Sequence, residues 1–415
     1  MLFSRINRTR KESDVKREGS LNKGRYKHNI FHNKTSGSNR DGLRGKIDIR
    51  LAVYSFIVVL FGMIMNYSAS CVYAEQMYND STYFLVRYIA FAVISIIFTA
   101  FFVAKATLSF WYRFSKWAYF ATLGMLGLVL IIGTVGGGAQ RWIRIGPLTL
   151  QPSEIAKMAI VLMLARYLAD NKERVTSPEK GGGSFVCGVL VPGGIIGAVC
   201  VLVALEKHIS GLMIIAMLGA CVMLVGGTRV KYIAALGGIV AVAGIGLILV
   251  SEYAQTRVNT WLNIDTVDPL GEAWQTLQGL YAIGSGGFWG RGLFNSLQKY
   301  GYVSQPQNDF VFSIICEELG FLGALTVVVL FLLIVVRGMK IAFRVPNKFG
   351  ALVIMGLVIK IGLQAALNIA VVTNSMPNTG ISLPFFSSGG TSLALQIFEI
   401  GILLNISRYS RIKKD

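Results

Sequence analysis

The chain has 415 residues, 53% of them hydrophobic and 15% charged, with a mean hydropathy of +0.58 and a formal net charge of +19. Soluble proteins carry about 45–50% apolar residues, so a water-soluble enzyme is excluded and an all-α polytopic membrane protein is expected. Five cysteines without a C-x-x-C pair and only three histidines predict no disulfide framework and no metal site, and leave histidine-based catalysis poorly supplied.

The first 50 residues hold 14 Lys/Arg against 5 Asp/Glu and show no apolar periodicity. Such a segment cannot bury enough surface to offset its ordering entropy, so residues 1–47 are expected to be a disordered cytoplasmic arm. Its basic charge suits anionic lipid head groups, and no nucleic-acid partner is expected. It is not a secretory signal, because the first apolar run begins only near Leu51.

Apolar runs then predict ten spans, at about 51–69, 83–103, 117–134, 153–169, 185–205, 209–226, 232–250, 310–336, 349–373 and 389–406. Together they make a membrane domain over 48–410, followed by a short basic end at 411–415. With the arm inside, sixteen further Lys/Arg fall on inside segments. Six fall outside: Arg141, Arg144, Lys207, Arg257, Arg291 and Lys299. That asymmetry predicts cytoplasmic termini. Two outside loops stand apart. Residues 251–308 form a long connection between spans 7 and 8, and 374–388 read "NSMPNTGISLPFFSS", without charge. Long loops of this kind are usually functional or disordered. The apolar content of the first, with Trp261, Trp274 and Phe288, predicts packing on the outer membrane face.

Charge inside or beside a span marks a functional site by default. In "GGGAQRWIRIGPLTLQPSEIAK", Pro152 suits the start of a helix. Glu154 and Lys157 then share one face and can pair. They read equally as a substrate-contacting pair or as a structural lock. Arg141 and Arg144, just outside, suit a phosphate-bearing ligand, or snorkel to the interface. In "SQPQNDFVFSIICEELG", Asp309 is either a helix cap or a general base whose pKa is raised by low-dielectric surroundings. Glu317 or Glu318 is expected to meet a buried cation such as Lys157 or Lys360, and Lys360 can also pair with Glu399. "SSGGTSL" predicts a helix entry at Ser387, Gly389 and Gly390 that either binds an anion or is simply capped. The glycine-rich "GLYAIGSGGFWGRG" is no dinucleotide fingerprint, because no strand precedes it.

Four stretches carry a resemblance: "RWIRIGPLTLQPSEIAK", "DPLGEAWQTLQGLYAIGSGGFWGRGLFNSLQK", "NDFVFSIICEELGFLG" and "MPNTGISLPFFSSGGTSL". The chain resembles the FtsW/RodA/SpoVE (SEDS) family, in its FtsW-like division branch. The resemblance runs from about 48 to 410. It implies a ten-helix bundle in the bacterial cytoplasmic membrane with an extracytoplasmic active site. The implied activity is inverting glycosyl transfer, polymerising lipid II into glycan strands for division or cell shape. It places the catalytic aspartate on Asp309 and family positions on Arg141, Trp142, Glu154 and Lys157; Arg144, Ser387, Gly389 and Gly390 join them as candidate substrate contacts on their own chemistry. No resident cofactor is required, although a divalent cation, Mg or Mn, would suit the diphosphate. The implied partners are a class B penicillin-binding protein and other division or elongation proteins. Where the family reads "PEAHTDF" this chain reads "SQPQNDF", and where it reads "QPDLGT" this chain reads "EKHISG". A role for that family histidine is therefore absent here. The alternatives from other classes are a lipid II flippase and a non-catalytic scaffold for a transpeptidase.

Overall fold

The computed structural model describes residues 45–136, 139–146, 148–176, 185–250, 252–264, 271 and 273–410. The expected disorder of the basic arm and the expected 411–415 end fall outside them, apart from residues 45–47. A helix occupies each of the ten apolar runs: α1 Ile49–Tyr78, α2 Tyr83–Lys105, α3 Leu108–Ile132, α4 Pro152–Asp170, α5 Val191–Leu205, α6 Ile209–Gly226, α7 Val230–Val250, α10 Val311–Ala342, α11 Lys348–Val372 and α12 Gly390–Ser407. Helices dominate because a lipid core offers the backbone no other partner. Entry points follow side-chain chemistry. Asp48 accepts from Leu51 N at 2.9 Å and Thr107 from Phe110 N at 3.0 Å, while Pro152 opens α4.

The all-α architecture is as expected, while the expected count of ten spans goes beyond what helix length and composition alone show. Among the described residues, eight helices are long and apolar enough to cross a membrane, and α4 is not among them. In α4 the ionisable Glu154, Lys157, Arg166 and Asp170 dilute the apolar run. That helix packs against α3, α5, α6 and α11 at the centre of the bundle, which shields those charges from lipid. The segment after α3 is not a plain loop. It forms three antiparallel strands, β1 Thr134–Gly136, β2 Ala139–Ile145 and β3 Leu148–Leu150, in the order β1-β2-β3. The long 251–308 connection also contains two helices, α8 Glu252–Leu262 and α9 Trp274–Gly286. The α9 helix packs along α10.

Pro192 lacks an N–H, which frees the carbonyl four residues earlier. There the chain forms a π-helical turn, Val186–Leu190, and Thr228 Oγ1 donates to Gly188 O at 3.0 Å.

A break in α10 shapes the site. Gly320 adopts φ +64°, ψ −159° and divides the helix. The glycine-rich loop fills the break: Arg291 N and Gly292 N donate to the carbonyls of Glu317 and Glu318, each at 2.9 Å. Phe321 N donates to Gly287 O at 2.9 Å. A Cβ on Gly290 or Gly320 would strike the opposing backbone, so both sites need glycine.

The two described chain ends meet at the other end of the bundle. Gly45 N donates to Arg408 O at 2.9 Å, Asp48 N to Ser407 Oγ at 3.1 Å, and Arg337 pairs with Asp48 at 2.5 Å.

Candidate active site

The strand meander, the Glu206–His208 turn, the 287–309 segment and the 374–389 loop gather at one end of the bundle. Hydrogen bonds to main-chain carbonyls join the strands, the 287–309 segment, the 374–389 loop and the start of α12. Ser388 N donates to Gln307 O at 2.8 Å, Ser387 Oγ to Asn308 O at 2.6 Å, and Thr391 Oγ1 to Thr149 O at 2.7 Å. Two cavities open among them. The larger, about 480 Å³, is lined by Asn66, Tyr78, Tyr83, Arg87, Arg144, Gln307, Asn308, Ser388, Gly389 and Gly390, among others. The smaller, about 250 Å³, is lined by Arg257, Thr260, Trp261, Gln275, Thr276, Asn374 and Asn378.

Asp309 is not among the lining residues of either cavity, but it is tied to both. Its neighbour Asn308 lines the larger cavity, and Arg257 of the smaller one acts electrostatically on its carboxylate. The backbone holds it firmly: Asn368 Nδ2 donates to Asp309 O at 2.8 Å. A Cβ added at Gly380 would come to 3.2 Å from Asp309 Oδ2. Burial pushes the Asp309 carboxyl above its ordinary range, while Arg141 and Arg257 pull it down. Asp309 does not cap α10. The cap position is Phe310, without a side-chain cap bond, so the capping alternative fails.

The remaining predicted residues separate into three places. Arg144, Gly389 and Gly390 face the larger cavity, and Gly389 begins α12 without a side-chain cap. Arg141 and Trp142 sit on β2, partly buried, and are not among the lining residues of either cavity. Arg141 reaches the site through its charge, acting on Asp309, Glu206 and His208. Glu154 and Lys157 pair at 2.7 Å, and Lys157 also donates to Gln364 Oε1 at 3.1 Å. Gln364 in turn donates to Ser382 O at 3.2 Å, which ties this pair to the 374–388 loop. Ser387 is occupied, donating to Asn308 O and accepting from Leu383 N at 2.8 Å. It braces the loop beside Asp309.

The glutamates two turns into α10 have a different role from the expected one. Glu318 meets Lys299 at 3.1 Å and Ser68 at 2.7 Å, not Lys157 or Lys360. Glu317 accepts from Leu297 N at 2.9 Å and Gln298 N at 3.3 Å. Both carboxylates therefore pin the 296–299 turn. Lys360 pairs with Glu399 at 2.6 Å.

Sequence reading noted "EKHISG" as a departure from the family pattern and gave Glu206 and His208 no role. The ionisable residues of that turn, between two strongly apolar helices, were the available signal. Burial pushes Glu206 up to about 8 against the pull of Arg141. Burial, with the charges of Arg141 and Lys157, pushes His208 down to about 4.

A divalent cation does not fit the donor set as a resident ion. No group of three or more His, Cys, Asp or Glu stands close enough to hold one among the described residues. The charges that act on Asp309 are two guanidinium groups, and these repel a cation.

Comparison with known proteins then gives one consistent result. The FtsW/RodA/SpoVE family model, described as "Cell cycle protein", matches residues 49–412. The chain is 37% identical over 369 residues to stage V sporulation protein E of Bacillus subtilis, covering 88% of this chain and 98% of that protein. It is 34% identical over 368 residues to a probable peptidoglycan glycosyltransferase FtsW of Trichlorobacter lovleyi, covering 86% and 94%. Among solved structures, it is similar to a chain described under "Structural coordination of polymerization and crosslinking by a peptidoglycan synthase complex". There the TM-score is 0.71 at 26% identity, covering 89% of this chain and 99% of that one. The fold also matches rod shape determining protein RodA of Thermus thermophilus, with TM-score 0.64 at 24% identity, covering 88% and 98%.

Proposed function

We infer function from one premise: the chain belongs to the FtsW/RodA/SpoVE family. It is a multi-pass membrane protein and a peptidoglycan glycosyltransferase of cell division or cell shape. Relatives named FtsW support the division branch. The substrate is lipid II, the disaccharide-pentapeptide on undecaprenyl diphosphate. The ten helices cross the cytoplasmic membrane with both termini inside, and the site faces outward. The paired chain ends at Gly45 and Arg408 and the clustering of Arg141, Arg144, Lys207, Arg257, Arg291 and Lys299 at the site end support this orientation.

The observation that carries the mechanism is the placement of Asp309 between Asn308, which lines the larger cavity, and the charge of Arg257, which lines the smaller one, with burial raising its carboxyl. Asp309 takes the proton from the 4-hydroxyl of the acceptor GlcNAc. That oxygen attacks C1 of the donor MurNAc, and the C1–O bond to the diphosphate breaks, inverting the centre. The bonding electrons leave with undecaprenyl diphosphate, whose growing charge is met by Arg144 and by the start of α12 at Gly390. The Glu154–Lys157 pair holds the 374–388 loop through Gln364. A divalent ion that assists the leaving group arrives with the diphosphate. The chain works with a crosslinking partner, a class B penicillin-binding protein, and with other division or elongation proteins. Its similarity to a member of a synthase complex supports that pairing.

The test uses purified full-length protein in detergent with lipid II alone. A polymerase makes glycan strands without a second compartment. A flippase or a scaffold makes none, and that outcome would refute the reading.

A further inference from the structure

The Glu206–His208 turn holds a buried carboxylate that its own fold does not use. The turn closes with main-chain bonds alone: Glu206 N to Leu202 O at 3.2 Å, Lys207 N to Ala204 O at 2.9 Å and His208 N to Val203 O at 3.3 Å. Lys207 lies at φ +58°, a left-handed conformation that an L side chain adopts at a cost. The consequence is directional. The Lys207 side chain stays exposed, while Glu206 on one side is 1% exposed and His208 on the other is 7% exposed. His208 is used, with Nδ1 lying 3.2 Å from Ser153 Oγ at the start of α4. Glu206 is not: both of its carboxyl oxygens are buried without a hydrogen-bond partner.

A buried carboxyl group without a partner is unfavourable, and more so when ionised. The charged group that acts on Glu206 is Arg141 of β2, and Arg141 Nε is likewise buried without a partner. The same guanidinium acts on Asp309, where Arg257 is the second cation. His208, from the same turn as Glu206, also feels Arg141, together with Lys157 and Glu154 of α4. One cation, within 4 Å of neither carboxylate, therefore acts on two carboxyl groups and an imidazole.

We propose that Glu206 is a positioning residue for polymerisation: Glu206 and Asp309 are alternative partners of the Arg141 guanidinium, so the charge on Glu206 sets how far Arg141 serves Asp309. Neutral Glu206 leaves Arg141 to Asp309 and the substrate. Ionised Glu206 draws the guanidinium away. Burial, which raises Glu206 to about 8, puts this change on the alkaline side of neutrality. The inference rests on Asp309 being the base.

The test is the pH–rate profile of the purified full-length chain polymerising lipid II between pH 6 and 9.5. The wild-type rate falls on the alkaline side. In Glu206→Gln the ratio of the rate at pH 9 to that at pH 7 rises at least about fivefold over wild type. Glu206→Asp, which keeps the charge, retains the alkaline fall. Glu206→Gln added to Arg141→Gln changes nothing further. If the Gln variant cannot be isolated folded, the neutral Glu206→Leu gives the same flattening. A wild-type profile flat to pH 9.5, an alkaline fall that survives both neutral variants, or additive effects with Arg141→Gln would each overturn the proposal. Failure of the underlying reading looks different: Asp309→Asn would then polymerise at the wild-type rate.

Discussion

The buried side-chain amide of Asn368 on α11 donates to the main-chain oxygens of both Asp309, at 2.8 Å, and Ile381, at 2.6 Å. One residue thus fixes the spacing between the start of α10 and the 374–388 loop. Asn368→Ala leaves two buried carbonyls unsatisfied, each costing about 1–3 kcal/mol. The melting temperature should fall, and kcat should fall by about tenfold or more with KM little changed. An unaltered kcat in folded N368A protein would show that Asp309 does not depend on this brace.

Arg144 lines the larger cavity and is exposed, so it is free to meet an anion. Arg144→Ala should raise KM for lipid II roughly tenfold, in keeping with the loss of a charge-assisted contact worth about 1.5–3 kcal/mol. Thermal stability should stay within error of wild type. Steady-state kinetics at several salt concentrations check this. An unchanged KM would remove Arg144 from the binding surface.

Lys299 and Glu318 form a buried pair at 3.1 Å beneath the site, both nearly inaccessible to solvent. Lys299→Met strands the carboxylate, a loss of about 3–5 kcal/mol for a buried pair. Replacing both residues with apolar ones should recover most of that. The readout is thermal unfolding in detergent. The account predicts a structural effect here, with normal turnover per folded molecule in the double variant.

His208 provides a pH test of the fold. Its pKa is about 4 in the folded chain against an ordinary 6.5, so between those values the unfolded chain binds more protons. Its contribution is therefore complete above pH 6.5 and is lost as pH falls toward 4. Relative to His208→Gln, wild type should lose on the order of 2–3 kcal/mol across that window. Denaturation at pH 7 and pH 4.5 measures the difference. A constant gap between the two proteins would mean that the ring does not titrate as described.

The sequence reading reached the helices more easily than the site. Apolar runs about as long as a bilayer is thick located all ten helices, because lipid leaves the backbone few choices. The Glu154–Lys157 pair was legible because three residues on a helix share a face. Lys360–Glu399, which spans two helices, was found by asking where buried charge finds a partner. The partner of Glu318 was missed because Lys299 reaches it through the glycine-filled break at Gly320, a tertiary arrangement without a local signature. The strands after α3 were missed for the same reason. Glu206 went unweighed although its turn lies between two strongly apolar helices, because burial of the carboxylate itself is set by the tertiary packing around the turn.

The most direct measurement compares wild type with Asp309→Asn in lipid II polymerisation, both as folded, purified, full-length protein. A general base contributes about 10²–10⁴-fold. The account predicts a loss of that size in kcat, with lipid II still bound and the melting temperature retained. Glycan strands made by the Asn variant at the wild-type rate would contradict it.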